Sequence, residues 1–169
     1  YDQAFLRLPK EVPVTVMREH QRYFPVTGSD GELLPRFIGV RNGITEHIDT
    51  VRAGNEKVLR ARLADGAFFW DEDLKVPLAD RAGSLKKVVW QESLGTVYDK
   101  VERVTGLALF IGEKLGAGND LLGIIKRAAA ICKADLVTNM VYEFPELQGV
   151  MGREYALRSG QVRDVAQAI

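Results

Sequence analysis

The hydrophobic period changes once along this chain, and that change limits the folds open to it. Early in the chain apolar residues alternate. In EVPVTVM, Val12, Val14 and Val16 share one side of an extended run, with Pro13, Thr15 and Met17 on the other. From Gly54 onward Leu59, Leu63, Ala67, Trp70 and Leu74 recur three and four residues apart, which puts them on one helix face. A strand-like period followed by a helical one predicts an α+β fold: short antiparallel strands and a helix, then helices alone.

Punctuation sharpens that outline. TGSDG (27–31) is a dense turn signal, and Leu33 to Arg41 reads as a second extended run closed by Asn42-Gly43. Gly54 or Asn55 is the expected cap of the first long helix, and Pro77 lies beyond its end. A short helix is expected over Asp80–Gln91. Ser93 would cap the next, which runs to about Leu115 with Val97, Val101, Val104, Ala108 and Ile111 inward. Gly116-Ala117-Gly118 breaks the pattern. A long helix then runs from Asn119 or Asp120 through Cys132 and Leu136 to Met140. Phe144-Pro145 interrupts it, because proline disfavours helical geometry in the residue before it yet opens a new helix well. Tyr142, Phe144 and Leu147 are expected to pack into this bend. Residues 1–78 and 79–169 form the two expected parts, with the boundary between Val76 and Ala82. The run GQVRDVAQAI carries no stop signal, so an internal piece of a longer protein is expected.

Composition excludes several functions. The 23 basic residues balance 23 acidic ones, and the balance holds in both parts: 11 against 12 in residues 1–78, 12 against 11 in 79–169. A free-standing nucleic-acid binder usually carries a basic excess. Two histidines, His20 and His47, and one cysteine supply no metal-ligand spacing. Asp71-Glu72-Asp73 reads as a solvated helix end, and Cys132, on an apolar helix face, as an inert thiol. The lone cysteine fits a reducing, cytoplasmic setting. No nucleophile elbow or phosphate loop is present.

Two stretches keep a chemical reading. In MREHQRYF (17–24) a strand would place Arg18, His20, Arg22 and Phe24 on one face, and basic groups beside aromatics suit phosphate and base contacts. In the helix after Gly54, Lys57, Arg60 and Arg62 form a positive flank. These six residues are the candidate RNA contacts. Solvated faces with ordinary charges are the open alternative for both stretches.

Three long strings go further. PKEVPVTVMREHQRYFPV (9–26), GNEKVLRARLADGAFFWDEDLK (54–75) and KADLVTNMVYEFPELQGVMGREYA (133–156) closely resemble the β subunits of the bacterial, α2β2 glycyl-tRNA synthetases, and SLGT (93–96) and KLG (114–116) agree. The resemblance implies an enzyme that joins glycine to tRNA(Gly) with ATP and Mg2+ through a glycyl-adenylate. It implies that the α subunit carries the adenylate-forming core, and that β is a multi-domain tRNA-binding chain. This segment would then join the end of an α/β tRNA-binding module to the start of a helical domain related to the HD family, with no catalytic centre, metal or cofactor of its own. The HD family's metal-binding His-Asp pair is missing here, and Asp135 stands alone in KAD. The other readings are a metal-dependent HD-type phosphohydrolase and a purely structural subunit-interface module.

Overall fold

The computed structural model describes residues 1–43 and 46–169. The chain divides into two compact units, Tyr1–Asp71 and Glu72–Ile169. The architecture is α+β: two small antiparallel sheets of two strands each, followed by a helical bundle.

The first unit opens on a 3-10 turn, Gln3–Arg7, capped by Asp2, whose Oδ1 accepts from the Ala4 N–H at 2.8 Å. The alternating valines that follow are helical rather than extended. Glu11–Thr15 is α1, and Val16–His20 continues it as a π-helical turn. Val12, Pro13, Val16 and Met17 are buried. Val12 and Val16 are four apart, and so are Pro13 and Met17, so the same residues satisfy a helix face. Pro13 decides between the readings: it is tolerated in a first helical turn and would remove a ladder bond from a paired strand. Only the end of the predicted run is a strand. β1 (Phe24–Thr27) pairs with β2 (Leu33–Ile38), with Phe24 opposite Ile38, Pro25 opposite Phe37, and Thr27 opposite Leu33 across an irregular step. The TGSDG turn joins them as expected: Gly28 N–H donates to Glu32 O at 2.8 Å, and Gly31 has φ +80°. The Asn42-Gly43 turn runs into residues outside the described ones.

Helix α2 spans Ile48–Asp73, a rod of about 39 Å at 1.5 Å per residue. It starts six residues before the expected cap, so Gly54 and Asn55 lie inside it. One glycine costs a helix only about 1 kcal/mol. Leu59, Leu63 and Trp70 are buried. Ile48, Val51, Asn55 and Leu59 extend the same spacing toward the N-terminus.

The second unit holds α3 (Leu78–Arg81) and a 3-10 segment, Ala82–Lys87. A hairpin of β3 (Val89–Gln91) and β4 (Gly95–Thr96) then replaces the end of the expected helix. Thr96, not Ser93, caps α4 (Val97–Lys114). Thr96 Oγ1 accepts from the Asp99 N–H at 3.2 Å, and Asp99 Oδ2 accepts from the Thr96 N–H at 2.7 Å. This reciprocal box holds the Asp99 carboxyl below its ordinary value. Val97 and Val101 pack with Leu85. Val104 and Ile111, expected inside, are 38% and 54% exposed.

Helix α5 (Asn119–Ile131) is shorter than its pattern, giving way to a 3-10 segment, Ala134–Val137. Thr138 caps the restart. Thr138 Oγ1 donates to Asp135 O at 2.6 Å and accepts from Val141 N–H, which opens α6 (Asn139–Glu143). Pro145 then begins a 3-10 turn, Pro145–Leu147, with Phe144 and Leu147 fully enclosed. Tyr142, expected in the bend, is 86% exposed. Gly149, at φ +80°, redirects the chain into α7 (Val150–Arg158), and α8 (Arg163–Gln167) packs on α5 and α7.

Two buried carboxylates hold this broken region. Asp73, at the end of α2, is buried rather than solvated. Its oxygens accept from the N–H groups of Asn139 (3.0 Å) and Met140 (2.9 Å), from Asn139 Nδ2 (3.0 Å) and from the Tyr155 hydroxyl (3.0 Å). It thus satisfies the open amides at the start of α6. Asp135 Oδ2 accepts from Gly149 N–H at 2.6 Å, at the start of α7, while its Oδ1 is buried without a hydrogen bond. Burial pushes the Asp135 carboxyl up, against the opposing pull of the Gly149 and Gly152 amides.

Candidate nucleic-acid interface

In the first unit, β2 and the N-terminal half of α2 border a groove of about 440 Å3, lined also by Tyr1 and Tyr23. That volume suits a small organic ligand or one nucleotide. Tyr23 and Phe37 stack with centroids 4.7 Å apart and planes 24° from parallel. Arg36, Arg41, Arg52, Asn55 and Glu56 are among the groove's other lining residues. Arg52 also pairs with Asp49 at 2.9 Å on the exposed side of the helix. Gly39 lines the groove, and a Cβ there would make ordinary contacts, 3.5 Å from the Tyr23 ring and 3.7 Å from Asn55 Nδ2.

Tyr23 also lines a neighbouring concavity of about 240 Å3 with Arg18, Glu19, Arg22 and Phe24. Arg18 and Arg22 therefore line one concavity with two aromatic residues, although no strand face arranges them. Arg22 lies at φ +57°, a conformation that costs a non-glycine residue about 1 kcal/mol or more. Glu19 sits 3.6 Å from its guanidinium. His20 does not line the concavity; it is half-buried at the end of the π-helical turn.

The helical candidates do not converge. Arg60 and Arg62 lie about 200° apart around α2, at 100° per residue. Lys57 is turned equally far from buried Leu59. Lys57 and Arg60 are exposed and Arg62 is half-buried. The arginines that line the groove are Arg36, Arg41 and Arg52, which sequence reasoning passed over. Their signal was faint: three arginines spread over a strand, a turn and a helix start, brought to one groove only by the fold.

Among the described residues no three His, Cys, Asp or Glu side chains are grouped to hold a metal ion, and no helix is long and apolar enough to cross a membrane. Asp71 is engaged with Arg7 through two 2.7 Å bonds, and Glu72 with Lys75. Cys132 is half-buried, and burial pushes its thiol up, away from the reactive range.

Comparison with known proteins settles the relationship. The family described as glycyl-tRNA synthetase beta subunit matches residues 1–169, the whole chain. The chain belongs to the glycyl-tRNA synthetase beta subunit family. It is 59% identical, over all 169 residues, to the glycine–tRNA ligase beta subunit of Desulforudis audaxviator, covering 25% of that protein. It is also 59% identical to the Desulforamulus reducens protein of that name and 52% to the Bacillus subtilis one, covering 24% and 25% of them. The chain thus spans about a quarter of the length of these curated relatives.

Proposed function

We propose that this chain is the part of a glycine–tRNA ligase beta subunit that engages tRNA, and that it serves an ATP- and Mg2+-dependent glycylation whose chemistry lies on the alpha subunit. The observation that supports an RNA role is the groove of the first unit, lined by three arginines and a stacked aromatic pair. Its partners are tRNA(Gly) and the alpha subunit, in an α2β2 heterotetramer in the cytoplasm. The helical unit is a scaffold of HD-like descent. Neither histidine of the chain falls within it, so it lacks the pair that an HD phosphohydrolase needs.

The test is reconstitution. Arg36, Arg41 and Arg52 are replaced by alanine in the full-length beta subunit, which is then mixed with alpha. Glycine-dependent ATP–pyrophosphate exchange and glycine transfer to tRNA are measured separately. A parallel variant changes Arg18, Arg22, Arg60 and Arg62. Exchange that survives while transfer falls supports the proposal for whichever set produces it. Both steps intact in both variants would make the region scaffold. Both steps lost in a folded protein would assign it to the alpha–beta interface.

A further inference from the structure

We propose that the groove between β2 and α2 takes a single unstacked nucleotide of RNA, and that it favours guanine. This rests on the reading of the first unit as an RNA-engaging surface and adds the form of RNA it holds. Three features carry it. First, the groove is large enough for one base, at about 440 Å3, and a base inside a duplex cannot leave its stack to fill it without being extruded. Second, a stacked pair is already there: Tyr23 and Phe37 lie 4.7 Å apart and nearly parallel, and an added base continues such a stack. Third, the polar groups are mixed. Arginines on a phosphate-tracking face need no carboxylate, yet Glu56 lines the groove next to Asn55. A carboxylate only accepts hydrogen bonds. The Watson–Crick edge of guanine offers it two adjacent donors, the ring N–H and the exocyclic amino group. Uracil offers one donor between two oxygens that the carboxylate repels. Glu56 therefore sets the base preference, while the guanidinium groups hold the phosphates on either side.

Gly39 supplies a clean perturbation. It sits between the Tyr23 ring and the Asn55 amide, at an ordinary backbone angle, so a larger side chain fills the groove without removing a charge. The experiment uses full-length beta subunit assembled with alpha. Single-stranded RNA oligomers carrying one 6-thioguanosine or one 4-thiouridine are cross-linked by near-ultraviolet light, and adducts are mapped by mass spectrometry. The same thioguanosine within a blunt duplex is the control. The expected result is an adduct on Tyr23 or Phe37 from the single-stranded thioguanosine oligomer. It falls at least tenfold in the duplex and in Gly39→Leu, and its excess over thiouridine shrinks in Glu56→Gln. Equal adducts from duplex and single strand would overturn the inference. So would a guanine preference that Glu56→Gln leaves unchanged. No adduct at either ring, with tRNA binding still weakened by the Arg36, Arg41 and Arg52 replacements, would overturn the nucleotide pocket and leave the RNA surface standing. No adduct and no effect of the arginines would overturn both.

Discussion

Asp71 and Asp73 stand two residues apart in one acidic run, and their replacement by alanine should have very different consequences. The Asp73 carboxylate is 1% exposed and accepts four hydrogen bonds, two from backbone amides at the start of α6, one from Asn139 Nδ2 and one from Tyr155. Arg81 lies 3.5 Å away and is itself mostly covered. Removing the carboxylate takes a buried hydrogen-bond acceptor from the Met140 amide and from the Tyr155 hydroxyl, at about 1–3 kcal/mol each. It also takes the anion from a helix N-terminus, about 1 kcal/mol. Recovering the desolvation cost of a buried charge offsets part of this. The net loss for Asp73→Ala is about 3–5 kcal/mol, a large share of an ordinary domain's 5–15 kcal/mol. Asp73→Asn keeps one acceptor and should lose roughly half as much. Asp71 meets Arg7 in an ion pair in which both side chains are about half exposed, so Asp71→Ala should cost no more than about 1 kcal/mol. Urea unfolding followed by far-ultraviolet circular dichroism, with the three variants side by side, measures the difference. An Asp73→Ala protein as stable as Asp71→Ala would refute the account of how the broken helices are held.

Other consequences can be checked with the same assay. The Asp135 carboxyl titrates above its ordinary value of 3.8, so the folded chain keeps this proton to a higher pH than the unfolded chain does. Stability from this group is present at acid pH and is lost as pH rises through the folded value. Asp135→Asn cannot ionise, so its stability relative to the parent should be greater at neutral pH than near the ordinary carboxylate value; a constant difference would contradict the assignment. Gly149 has φ +80° and open space for a Cβ, with the nearest contact at an ordinary 3.9 Å. Gly149→Ala should therefore cost about 1–2 kcal/mol from backbone strain alone, and no loss would mean the bend relaxes. Arg22→Gly should relieve strain and stabilise the first unit by about 1 kcal/mol, while weakening any RNA contact that Arg22 makes.

Strong periodicity and glycine or proline punctuation were readable from residues alone. The stripe from Leu59 to Trp70 is buried in a helix, the TGSDG turn closes the first hairpin, Gly116-Ala117-Gly118 separates α4 from α5, and Phe144-Pro145 ends α6. What failed was ambiguous by physics. Val12, Val14 and Val16 fit both a strand and a short helix, and only the company of Pro13 and Met17 decides. Leu121 to Met140 keeps a helical spacing straight through a break where the Thr138 hydroxyl bonds the Asp135 backbone carbonyl and the Val141 N–H. Asp73 looks like surface charge because its partners lie 66 and 82 residues away. The groove was illegible for the same reason. MREHQRYF drew attention as a compact basic-aromatic string, and Tyr23 does line both concavities. Arg36, Arg41 and Arg52 have no local pattern, and their place along one groove is a property of the fold. The long strings, in contrast, identified the family without reference to any of these details.

The most direct test of the central claim is the salt dependence of tRNA(Gly) binding by the assembled alpha–beta enzyme, with and without alanine at Arg36, Arg41 and Arg52. Each phosphate contact to a single-stranded region contributes a slope of about −0.7 in log affinity against log salt, so three contacts contribute about −2. The account predicts weaker binding at low salt and a slope flatter by about two in the triple variant. An unchanged slope, with the variant folded and assembled, would show that this groove does not meet RNA phosphates.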